Sequence, residues 1–364
     1  MASLAAPVTL QRPASRRISI PRPVLITGLV VLVAAVVLTA LPGAYSAIRD
    51  GIARIPDAKL EWIALALGLE ALSFLGHIVL FRAVFVDGEA RVGYAASYEI
   101  TMAGHAATRI FGAAGAGGVA LQVWALRKAG LSGRSVAARM VAFIVLLYSF
   151  YAVTVALVGF GLWIGILPGG GSPLLTAVPA VAAVAIIGGA LLSSRLATRL
   201  HLTGKAARAA ATVSEGVDGA IEIVKARDPR LLGGVAWWAF DIAVLWAAFH
   251  AFGASPPIFL ITLGYFLGLI GNALPFLGSL GGVDGGMIGA LVALGTVAPV
   301  TIAAVVVYRL ISCWIPTLPG LAAYLQLRRR MTDWDATTSA TRSPAEPSQS
   351  GGIDAAREPA LAIS

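Results

Sequence analysis

An aspartate and two arginines set into apolar sequence are the residues of this chain best suited to chemistry. Asp284 lies in the stretch 274–289, read LPFLGSLGGVDGGMIG, where six glycines and Pro275 crowd around it. Arg309 follows in a later apolar run, directly after Tyr308, and Arg109 stands in an earlier one. A charged side chain at membrane depth is costly, and it persists where it faces a partner, a wet cavity or a substrate. Arginine suits phosphate because its planar fork donates parallel charge-assisted hydrogen bonds. A carboxylate such as Asp284 can pair that arginine when the site is empty, or hold a cationic headgroup. Arg109, Asp284 and Arg309 are therefore the expected polar centre, with Glu99, His105, Gln122 and Asn272 lining it. For each of these residues a plain polar contact between helices is an equally good explanation. Catalytic signatures are missing: His77, His105, His201 and His250 are scattered, and no H-x-x-x-H or paired-carboxylate pattern accompanies them. Cys313 is the only cysteine, so neither a disulfide framework nor a thiolate metal site is expected. The expectation is a protein without cofactor or metal that is not an enzyme.

The elements that must position these residues are set by composition. Of 364 residues, 58% are hydrophobic and 12% charged, and the mean hydropathy is +0.84. Soluble domains are about 25% charged, so an all-α, polytopic helical membrane protein is expected. The net charge of +9 resides largely in arginines flanking apolar runs. Membrane topology and anionic lipid headgroups account for that placement, and no nucleic-acid partner is expected. Residues 1–23 form a basic arm carrying Arg12, Arg16, Arg17 and Arg22, followed at 24–41 by an uncharged run of spanning length. That run is too long for a cleaved signal and reads as a first helix. Residues 42–59 then read as an external loop, and 60–86 as a second span bearing Glu70 and His77, which share a face as a satisfied pair. The membrane domain is expected over 24–327, with 194–230 an amphipathic cytoplasmic connector and 328–364 a disordered cytoplasmic tail. Positive charge at both ends places both termini in the cytoplasm.

Two segments break the spanning pattern. The first, 94–130, has short apolar arms around a Gly/Ala-rich centre containing Gly115, Gly117 and Gly118. The second is marked by Pro275, Gly281, Gly282 and Gly285. The first centre also fits a dinucleotide-binding glycine pattern, which we reject because no strand precedes it and no acidic residue follows at the required distance. Tight packing explains the glycines of the second break, since Gly281/Gly285, Gly282/Gly286 and Gly285/Gly289 all read G-x-x-x-G. It does not explain Pro275 and Asp284. About eight membrane elements result, two of them discontinuous or re-entrant, and 94–130 and 278–296 are open to either spanning or re-entry. Paired interruptions in the two halves point to a midplane transport site and to an inverted repeat.

Several of these residues carry a resemblance. Gly117-Gly118, Trp124 to Gly130 (WALRKAG), LPFLGSLGGVDGG, Tyr308-Arg309 and Pro316 to Gly320 together resemble the lysylphosphatidylglycerol synthase transmembrane, or flippase-like, family (the YbhN-like group) over roughly residues 24–326. The resemblance implies a helical membrane domain similar to the one that moves aminoacylated phospholipids between leaflets. Two departures stand out. Many relatives continue the first motif with glutamate and arginine, where Val119 to Gln122 stand here, and Asp284 replaces a glutamate in the second. No acyltransferase domain follows residue 330.

The function expected is therefore a flippase or transporter of phospholipid or a lipid-linked intermediate, in the cell membrane. The alternatives are a non-transporting partner that scaffolds a separate lipid synthase or glycosyltransferase, and a membrane-embedded enzyme. Partners are membrane lipids and a membrane or cytoplasmic lipid-modifying enzyme; oligomeric state is left open.

Overall fold

The computed structural model describes residues 42–86, 92–111, 116–199, 204–270 and 282–342. The expected first span at 24–41, and Gly115, Asn272, Pro275 and Gly281, lie outside the described residues. Those described form helices α1 (Pro42–Ala53), α2 (Leu60–Phe85), α3 (Tyr94–Phe111), α4 (Ala116–Lys128), α5 (Gly133–Trp163) and α6 (Pro173–Arg199), then α7 (Gly204–Lys225), α8 (Leu232–Ala251), α9 (Ile258–Leu269), α10 (Gly282–Ala293), α11 (Ala298–Arg309) and α12 (Ile315–Arg342). Among them no strand occurs. Five stretches are long and apolar enough to cross a membrane: Leu60–Phe85, Gly133–Trp163, Pro173–Leu192, Pro229–Ala251 and Ala298–Trp334. Large apolar side chains such as Leu157, Leu174 and Ile186 are exposed on them, which is stable only if the surrounding solvent is hydrocarbon.

Helices α2 and α8 form the axis of the molecule, and they run antiparallel. The Lys59 amide at the start of α2 donates to Ala251 O at the end of α8, over 3.0 Å. At the opposite end Arg230 donates to Arg82 O (3.2 Å) and Val86 O (3.4 Å). Between these ends the backbones touch. A Cβ on Gly76 would stand 2.7 Å from Gly233 O, and Ser73 Oγ donates to Trp237 O nearby at 2.9 Å.

Each axial helix is followed by a hairpin of two short helices. In the first, Gly104 of α3 faces Gln122 of α4, and Gly118 packs against Gly104 and Thr108. In the second, Gly264 of α9 faces Leu291 of α10, while Gly268 faces Met287. These pairings are antiparallel, so both segments fold back on themselves. The 12-residue α9 and α10 are ~18 Å long at 1.5 Å per residue, short of a hydrocarbon core of about 30 Å. Each hairpin ends in a left-handed glycine, Gly130 (φ 104°) and Gly295 (φ 103°), which turns the chain into the next long helix at little steric cost.

The mouths of the hairpins lie at opposite ends of the axis. Arg82, near the end of α2, binds the first mouth through Val92 O (3.4 Å) and Ser97 Oγ (2.9 Å) and stacks 3.7 Å over the Tyr94 ring. The second mouth follows the far end of α8. The order long helix, hairpin, long helix is thus repeated in opposite directions by α2–α5 and by α8–α12, whose closing span is the continuous stretch Ala298–Trp334.

The structure departs from expectation at three connecting segments. Residues 42–53, expected as loop, are helix, seated on α11 where a Cβ on Gly51 would meet Ile302 and Pro299 O at 2.9 Å. The connector helix α7 is not simply solvated: Gly216, Val217 and Ala220 are buried, with Gly216 against Val141 and the Ala138 carbonyl of α5. The tail expected to be disordered from 328 instead continues α12 to Arg342, because Leu327, Met331 and Trp334 lie on one helical stripe and are buried in the core.

Candidate functional site

Near its middle, each axial helix carries one acid. Glu70 of α2 and Asp241 of α8 are buried, their carboxyls within hydrogen-bonding reach of each other. Asp241 Oδ2 accepts hydrogen bonds from Tyr265 of α9 and, at 3.1 Å, from Tyr308 of α11. Arg109, near the tip of the first hairpin, lies within electrostatic range of both acids. From the second half, Asp284 in the first turn of α10 forms an ion pair with Arg309 of α11, and Arg309 is itself within range of Asp241. A carboxylate at a helix N-terminus is favoured by the exposed amides and the helix dipole, so Asp284 occupies the anion-attracting end of α10. Among the described residues no acceptor meets the buried Arg309 Nη2.

Backbone irregularity helps aim these groups. Between α11 and α12, residues Leu310–Trp314 form a π-helical turn, the kind of insertion that shifts helical register and recurs at functional sites. It follows directly on Tyr308 and Arg309 and brings the Cys313 backbone to His105. Thr317 Oγ1 donates to Cys313 O over 2.7 Å, satisfying a carbonyl in the disturbed region.

Beside this charged centre lies a cavity of about 410 Å³, lined by both arms of the first hairpin together with α2, α5 and α8. Its walls are aromatic and polar at once. His77 stacks on Trp237 at 4.0 Å between centroids, and Phe74 meets His105 edge-on at 4.8 Å. Gln122 lines it, closely packed on Gly104. Among the described residues, His77 Nδ1, His105 Nε2 and Thr101 Oγ1 are buried there without hydrogen-bond partners. A groove of about 350 Å³ lies on the other side of Phe74, walled by Leu67, Leu75, Ile78, Met102 and Ile315, with the Glu70 carboxyl and the Tyr98 hydroxyl among its lining. No group of three or more metal-binding side chains occurs among the described residues.

The structure therefore joins Asp284 to Arg309, and places His105 and Gln122 on one cavity with Gly118. Glu99 is elsewhere. It is held by Arg330 of α12 through two bonds of 2.7 Å, toward the mouth of the first hairpin, and does not line the polar centre. The distance along the helix explains this: ten residues separate Glu99 from Arg109, about 15 Å at 1.5 Å per residue. Glu70 and His77 do not pair either, since Glu70 turns to Asp241 and His77 to Trp237 and Phe143. Gly117 and Gly118 begin α4, and Gly282 and Gly285 lie in the first turn of α10, so these four stand at the starts of the returning arms. Asp241, Tyr265, Phe74, Thr101 and Trp237 were not singled out as site residues. For Asp241 the available signal was its position, an acid midway along an apolar helix.

Helices of spanning length around two fold-back hairpins, with buried charge between them, define a polytopic membrane protein built about an intramembrane polar site. The chain belongs to the lysylphosphatidylglycerol synthase TM region family, which matches residues 24–320. It is similar to a UPF0104 membrane protein of Methanothermobacter thermautotrophicus (strain Delta H), with 38% identity over 96 residues, 26% of this chain and 27% of that relative.

Proposed function

We propose that the protein carries an amphiphile with an anionic headgroup, a phospholipid or lipid-linked intermediate, between the leaflets of the cell membrane, and that it is a carrier and not an enzyme. The observation that carries this reading is the adjacency of two unlike spaces across Phe74: an aromatic cavity bearing unpartnered polar atoms, and an apolar groove. A headgroup fits the first while an acyl chain follows the second. The volumes lie at the lower end of the range for ligand pockets, about 300–1,000 Å³. Unsatisfied buried polar groups cost free energy until a ligand or water meets them, so His77, His105 and Thr101 favour a hydrogen-bonding guest. Arg309 Nη2 is a donor for phosphate, and Asp284 is the carboxylate a phosphate would displace. In this proposal both termini are cytoplasmic, the first hairpin opens to the cytoplasm, and the second opens to the outside.

Lipid occupancy tests the assignment of the two spaces. In an electron cryomicroscopy map of the protein in nanodiscs containing phosphatidylglycerol, headgroup density is expected between His105, Gln122 and Arg309, with a chain along Met102 and Ile315. A map in which side chains close both spaces, with lipid confined to the outer surface, would reject it and favour the scaffold alternative.

A further inference from the structure

The polar centre does not balance in charge. It contains three carboxyls, Glu70, Asp241 and Asp284, and two guanidiniums, Arg109 and Arg309. The hairpin-tip residues 112–115 and 271–281 have no ionisable side chain, so they leave this count unchanged. Fully ionised, the cluster holds one surplus negative charge inside an apolar bundle. Two carboxylates facing each other at close range repel strongly, and one shared proton removes both the repulsion and the surplus.

The geometry says where that proton sits. Asp284 is engaged by Arg309, and Asp241 Oδ2 already accepts from Tyr265 and Tyr308. Glu70 Oε2 and Asp241 Oδ1 are buried, and among the described residues no donor reaches either. A hydrogen atom between the two carboxyls supplies the missing donor. The other polar or ionisable neighbours are His77 on α2, His105 and Arg109 on α3, Arg309 on α11, and Ser312 and Cys313 in the π-turn. Both imidazoles stand edge-on or tilted against aromatic rings.

We propose that Glu70 and Asp241 form a proton-binding site that keeps the intramembrane cluster neutral and links its occupancy by an anion to proton movement. An anionic phosphate that takes Arg309 from Asp284 adds one negative charge. Neutrality is restored when a second proton, drawn from water on the side the headgroup entered, occupies the same carboxyl pair. On release of the phosphate, that proton leaves and Asp284 pairs with Arg309 again. One proton thus accompanies each monoanionic headgroup. The proton site follows from the charge count and the carboxyl geometry; its role in coupling rests on the transport reading.

Infrared spectroscopy of the full-length protein in phosphatidylglycerol vesicles tests the site by the C=O stretch of a protonated carboxyl. The wild type at neutral pH is expected to show this band. It should be lost in Glu70→Gln and Asp241→Asn, and equally in Asp284→Asn, where two acids face two arginines. It should grow in Arg309→Gln and stay unchanged in Glu99→Gln, whose acid belongs to the Arg330 pair. Because Asp284→Asn leaves the Glu70–Asp241 contact in place, it separates charge balance from loss of fold. A wild-type band that is absent, or that survives both Glu70→Gln and Asp241→Asn, overturns the proposal, as would a proton resident on His77 or His105. In the same vesicles a pH gradient should bias the leaflet distribution of fluorescent phosphatidylglycerol by about tenfold per pH unit, the weight of one proton. Exchange that ignores the gradient, with no carboxyl band, rejects the proton site and leaves the transport reading standing. The carboxyl band with its expected variant losses, but no lipid movement in any vesicle, does the reverse.

Discussion

At the scale of single residues, the charges tell the story because each is costly where it stands. Asp284 and Arg309 are partly and largely buried, and in such a pair the cost of desolvation offsets much of the attraction, so its presence adds little net stability. Removing one partner is another matter, since the other loses its direct ion-pair contact in a buried site. Asp284→Asn should therefore destabilise the protein by about 3 kcal/mol, at the lower end of the range for broken buried pairs because the aspartate keeps some exposure. A detergent melting curve checks this, and Arg309→Ala should shift it in the same direction. These residues were legible in the sequence because desolvation makes an isolated charge in an apolar run conspicuous. Their partners were less so. Glu99 and Arg330 lie 231 positions apart, and no local spacing announces such a contact. Spacing alone pairs Glu70 with His77 on the same helix, whereas the crossing of α2 with α8 gives it to Asp241.

At the scale of elements, the positions of the charges depend on close backbone crossings. Gly76 and Gly233 let α2 and α8 touch, which sets the depth at which Glu70 and Asp241 meet. Gly76→Val should force the two helices apart and cost about 1–3 kcal/mol, read as a lowered melting temperature together with reduced lipid exchange. Gly219, which has open space around it on α7, should accept alanine without loss. At the end of α2 the Asp228 carboxyl is held below its usual range by hydrogen bonds from Arg230, the residue that also caps α2 through Arg82 O and Val86 O. Its contribution is present at neutral pH and fades as pH falls through the carboxylate range. Asp228→Asn should therefore flatten the acid limb of a stability–pH profile. Long apolar helices were legible by length and hydropathy. The helix at 42–53 and the extension of α12 were not, because the first is short and interrupted by Pro42, Gly43 and Gly51, the second is rich in polar residues, and packing partners far along the chain hold both. In hindsight the spacing of Leu327, Met331 and Trp334 carried the signal for the extension.

At the scale of the whole molecule, two halves run in opposite directions, and their hairpins bring Arg109 and Asp284 to a common polar centre. The interrupted segments pointed to that architecture, while the choice between spanning and re-entry required the antiparallel contacts of Gly104 with Gln122 and Gly268 with Met287. Opposed mouths have a direct consequence. Cysteines introduced at Ser132 and Ser255, with Cys313 changed to serine, should label with a membrane-impermeant maleimide from opposite faces of sealed vesicles. Labelling of both from one face would contradict the arrangement.

The central claim, that an amphiphile passes between the leaflets through this site, is tested most directly by leaflet exchange. Purified protein in vesicles containing fluorescent phosphatidylglycerol, phosphatidylethanolamine or aminoacylated phosphatidylglycerol would be assayed by chemical quenching of the outer leaflet. Exchange of at least one anionic or aminoacylated lipid is predicted, with the rate falling by about tenfold or more in Arg309→Ala, the weight of one lost charge-assisted contact, and also falling in Asp284→Asn, which cannot reclaim Arg309 to release the headgroup, in protein that remains folded. Protein-free rates for every lipid tested, or exchange that both variants leave untouched, would contradict it.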